Sequence, residues 1–122
     1  MTVHTPPGWP AAVAPPDAPG WVRSAQAWLL DLCPADYRGY AVLGRHPTAL
    51  AFLAGTHVEA GLAALRQARG RARAALSDRL PPPEVSAVLE ALDHEEVRLL
   101  AAGRGVSLVT EALAGQRHVR RL

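Results

Sequence analysis

Lysine, isoleucine and asparagine are absent from this 122-residue chain, and cysteine, methionine and phenylalanine occur once each. The three missing residues have AT-rich codons, so a GC-rich coding bias accounts for all 13 basic residues being arginine. Arginine abundance is therefore no argument for phosphate binding. One cysteine excludes a disulfide framework. The formal net charge is only +2 despite a pI near 9.3, less than a dedicated polyanion binder carries. No long apolar run is present either: the longest charge-free one, His46 to Val58, has 13 residues, against the ~20 that span a bilayer. The start, Met-Thr-Val-His, lacks the basic segment and apolar core of a secretion signal. These absences lead us to expect a soluble, reduced, cytoplasmic protein with no membrane association.

What is present is globular. Hydrophobic residues make up 49% and charged residues 20%, a balance that excludes a wholly disordered chain. The length suits one domain that buries roughly two thirds of its unfolded surface.

Six of the 11 prolines fall within the first 19 residues, which predicts an extended, polyproline-like arm over 1–16 with little burial. Trp9 is its one large anchor, and it either docks back on the domain or presents itself to a partner. A single helical domain is expected over 17–114. Its first helix, at 18–32, would be capped by Asp17 and would end before Cys33-Pro34. Trp21, Ala25, Trp28 and Leu32 recur there at helical spacing, widened by Val22 and Leu29. One or two turns from Pro34 to Leu43 should follow. The proline-free, Ala- and Leu-rich stretch 47–80 and the patterned stretch 83–114 read as two long helices of nearly equal length, separated by Pro81-Pro82-Pro83. Residues 115–122 form a basic tail.

The expected fold is all-α: a long antiparallel two-helix hairpin, braced at one end by the short N-terminal helix as in a three-helix bundle. Residue i should then face residue 163 − i. That register sets Arg79 against Glu84, Arg73 against Glu90, Arg69 and Arg71 near Asp93 and Glu95, Arg66 near Glu96, and Glu59 against Arg104. It also sets Ala60-Gly61 against Ala102-Gly103. Such glycines either form a notch that admits close backbones or a bulky side chain such as Trp28, or they fray the helices. The proline end should project as a two-helix arm that self-associates or stands alone.

Most candidate chemistry fails on spacing. Glu90 and His94 share a helix face, but the other half of a di-iron site would fall where the facing stretch carries arginines. His4, His46, His57, His94 and His118 are scattered, and two histidines make an incomplete zinc site. Cys33 has no activating base identifiable from the sequence. No phosphate-cradling glycine loop or dinucleotide fingerprint occurs. No catalytic residue, cofactor or metal is expected. The candidate interaction residues are Trp9 and, in the tail, Arg117, Arg120 and Arg121.

The run Trp28-Leu29-Leu30-Asp31-Leu32-Cys33-Pro34-Ala35-Asp36-Tyr37-Arg38, with Arg45-His46-Pro47 and His57-Val58-Glu59-Ala60, resembles short actinobacterial proteins of unassigned function. The resemblance covers residues 9–114 and implies no activity, cofactor or site residue. The expected role is a non-enzymatic helical module for a protein partner or a homodimer. The alternative is an auxiliary nucleic-acid binder using the tail.

Overall fold

A computed structural model describes the backbone of residues 5–120, all of its regular structure helical. Helix α1 spans Trp21–Asp31. A 3-10 turn at Ala35–Gly39 and the short α2 at Ala41–Arg45 follow, where one or two turns are expected from the sequence. The long helices are α3, Pro47–Leu76, and α4, Pro82–Arg120.

The amino-terminal arm differs from expectation. It is a chain of tight turns rather than extended backbone, closed by hydrogen bonds from Trp9 N to Pro6 O, Val13 N to Pro10 O, Ala18 N to Pro15 O and Trp21 N to Ala18 O. In three of these turns a proline precedes a residue of positive φ: Pro7 before Gly8 (88°), Pro16 before Asp17 (69°) and Pro19 before Gly20 (75°). Proline fixes the first corner of a type II turn, and the second corner demands positive φ. Asp17 is thus a turn corner, not a helix cap, and α1 begins later, after Gly20, with no side-chain cap. Ser24 ties the arm to α1: its hydroxyl accepts from Ala14 N at 2.9 Å and donates to Trp21 O at 2.8 Å.

Helix α3 ends at Leu76, four residues short of the expected stop. Arg79 N and Leu80 N both return to Leu76 O, so Ser77–Leu80 form a tight turn before the prolines. Pro82 and Pro83 then open α4, where missing N–H groups cost nothing. Pro81 O accepts from Glu84 N and Val85 N as the cap. At its far end α4 continues past Ala114 to Arg120. With 30 and 39 residues, α3 and α4 are about 45 and 58 Å long rather than equal.

The two long helices pack together. Arg66 meets Glu96 at 3.2 Å, and three residues on, Arg69 meets Asp93 at 2.5 and 3.2 Å. Nearer the other end, a Cβ on Gly61 would touch Leu99, one on Gly103 would touch Val58, and one on Gly55 would touch Val106, all at 3.5–3.6 Å. Numbers that rise along α3 therefore meet numbers that fall along α4. The glycines do not face one another as expected; each receives a larger side chain from the other helix, because the match is offset by one to three residues.

The core lies where α1, α2, α3 and α4 converge. Leu29, Leu50 and Val109 are fully enclosed, with Trp21, Ala25, Leu43, Ala54 and Leu113 around them. Each such aliphatic side chain contributes roughly 1.5–3 kcal/mol. Gly105 is the close-approach point: a Cβ there would lie 2.8 Å from Pro10 Cγ and 2.9 Å from Trp28 Cη2. The notch that admits Trp28 exists, two residues beyond Gly103. Toward the prolines only Ala72 and Val85 are buried among the described residues.

Candidate interaction surface

The expected interaction residues separate in space. Trp9 is docked on its own chain: its indole N–H reaches Val13 O and Ala14 O, both at 3.1 Å, and its ring lies 6.0 Å from that of Trp21. Val13 beside it is buried. Arg117 and Arg120 stand on the last turns of α4, so their backbone is helical where a tail was expected, while Arg121 and His4 lie outside the described residues.

The acidic group disperses. Asp93 and Glu96 reach across to α3, as the charge pattern predicts, but Glu95 bonds to Arg98 on its own helix instead of to Arg69 or Arg71. Among the described residues no ion pair joins Arg79 to Glu84, Arg73 to Glu90, or Glu59 to Arg104. The early end of α3 and the offset explain the first two, since both lie nearest the altered turn. The Arg69 guanidinium, by its hydrogen bond, holds the Asp93 carboxyl below the usual carboxylate range, and Arg98 does the same for Glu95. Among the described residues no three His, Cys, Asp or Glu side chains gather to hold a metal ion.

No sequence pattern marked one further polar contact. Tyr37 Oη and His57 Nε2 share a 2.8 Å hydrogen bond with the rings edge to face, and Tyr40 packs on Tyr37. The contact joins the 3-10 turn to α3 across 20 residues of sequence. Cys33, half-buried nearby in sequence, has its thiol pKa pushed up by burial, with Arg38 opposing. A raised pKa keeps the thiol protonated and makes it a poor nucleophile.

The side of α3 and α4 turned away from α1 is open. Phe52 is 72% exposed there and Leu100 39%. Between them runs a continuous groove: Phe52, Gly55 and Glu59 line it from α3, and Leu100, Arg104 and Ser107 from α4. Small residues form its floor, while Glu59 and Arg104 stand at one level on opposite rims. The signal for this face lay in the sequence as the one phenylalanine, placed on the polar side of a helix whose core stripe is Leu50, Ala54 and Val58. Helix α3 is also long and apolar enough to cross a membrane by length and composition, its best window having a mean hydropathy of 1.3 with 22% of it buried. The charge-free run alone does not reveal this, because Glu59 interrupts it.

No family model, curated protein or solved structure matches the chain.

Proposed function

We propose that the protein is a non-enzymatic helical association module: an antiparallel hairpin of α3 and α4, braced by α1 and the folded arm, whose open side binds protein. The observation that carries this reading is the exposure of Phe52 and Leu100 along the groove between the two long helices. Exposed apolar groups in a continuous groove mark a surface that is covered in use. Glu59 and Arg104 on the rim favour a protein partner over lipid, since charge at mid-helix penalises insertion into hydrocarbon. The test is capture of partners from native lysate by the wild-type chain and by the double variant Phe52→Glu, Leu100→Glu. Loss of the captured protein in the variant, with its helical circular dichroism intact, supports the reading; identical capture by both contradicts it.

A second reading rests on a different observation, the continuation of α4 to Arg120. It makes Arg117, Arg120 and Arg121 an auxiliary phosphate-contacting end for nucleic acid, able to strengthen an encounter without specifying sequence. Salt-sensitive retention on heparin that vanishes in a chain ending at Ala114 favours it. Absence of retention excludes it.

A further inference from the structure

We propose that the occupant of the groove is a second copy of this chain, packed face to face about a twofold axis parallel to the long helices. The inference rests on the association reading above and adds its partner and register.

Charge and shape complementarity select the occupant. Glu59 and Arg104 line the same stretch of groove from opposite helices, and neither has an ion-pair partner among the described residues. Leu62 and Leu100 likewise line one stretch from opposite sides. A twofold rotation about the long direction lays α3 of each copy over α4 of the other and leaves every residue at its own level. Glu59 of one copy then meets Arg104 of the second, and Leu62 meets Leu100, each twice, as an isologous contact requires. Phe52 of each copy covers the other at the level of Thr110, near the small floor residues Gly55 and Ser107. The result is a four-helix bundle. A twofold axis across the helices at that level would instead set Arg104 against Arg104 and Glu59 against Glu59, which like-charge repulsion opposes.

Charge reversal in the full chain tests the dimer. Light scattering and sedimentation equilibrium of the wild-type protein should give a dimer that dissociates on dilution. Glu59→Arg alone and Arg104→Glu alone turn two attractive contacts into two repulsive ones and should each weaken self-association by about tenfold. Mixing the two single variants should restore a dimer, now a heterodimer, because the first supplies two arginines and the second two glutamates. Only a contact between chains behaves so; an effect within one chain is not rescued by mixing. Leu100→Glu gives a second arm, expected to yield monomers with unchanged helical circular dichroism. A wild-type chain monomeric at high concentration overturns the proposal, as does a dimer indifferent to all three substitutions. Phe52-dependent binding to phosphatidylcholine vesicles by a monomeric chain overturns it in favour of a lipid surface. A monomer that still loses a lysate partner on Phe52→Glu overturns the dimer and leaves the association reading standing.

Discussion

Gly105 shows how a single missing methyl decides where a segment rests. In an open helix, glycine to alanine gains roughly 0.5–1 kcal/mol, and Gly70, with nothing within 4 Å of its would-be Cβ, should show that gain. At Gly105 the new methyl meets a proline ring and an indole, neither of which can pivot away. Overpacking of this kind costs about 1–3 kcal/mol. Gly105→Ala should therefore lower the urea midpoint while Gly70→Ala raises it, both followed by circular dichroism. Cys33 gives a chemical counterpart. With its thiol pKa raised by burial, its reaction with a disulfide reagent should be slower than that of glutathione at pH ~8 and still accelerating above pH ~9. A rate matching free thiol would contradict the burial. Asp17 is a residue whose role the sequence leaves ambiguous: aspartate suits both a helix cap and a left-handed turn corner. The choice fell to the preceding Pro16, which presets the turn.

Between α3 and α4 the charges act on alignment more than on strength, because the pairs stand in water. Arg69→Glu and Asp93→Arg should each lower the melting temperature slightly, and the double reversal should restore it. Arg73→Glu with Glu90→Arg should show no such rescue, since no ion pair links them. Rescue of the second pair rather than the first would mean a register different from the observed one. The same contact sets an acid response. Because Asp93 titrates below its ordinary range when folded, its contribution is complete above the unfolded value and is lost as pH falls through the folded one. The decline thus begins below pH ~4, and Asp93→Asn should flatten the slope of melting temperature against pH in that window. The patterns that placed both long helices were plain in the sequence: a proline-free Ala- and Leu-rich stretch, a triple proline, and apolar residues every three or four positions. Their ends were less so: Ser77 and Asp78 are weak helix formers and Leu80 precedes a proline, and these residues close a turn in which Arg79 N and Leu80 N both return to Leu76 O.

For the molecule as a unit, the arm belongs to the core it packs on. Deleting residues 1–16 removes Val13 and the docked Trp9, and should lower stability by about 3 kcal/mol and increase binding of a hydrophobic dye. A fully stable truncated chain would mean that the arm merely lies on the surface. Composition and periodicity alone were enough to dictate an all-helical chain, its two long helices and a short helix before them, because each depends on local propensity and on which face of a helix is apolar. They also carried the cross-helix signs of Arg66, Arg69, Asp93 and Glu96. What the folded arrangement alone settled is which surfaces remain in water. Phe52 and Leu50 are both apolar neighbours on one helix, yet one is exposed and the other enclosed. The difference arises because α1 packs on a single side of α3, and only packing decides which side.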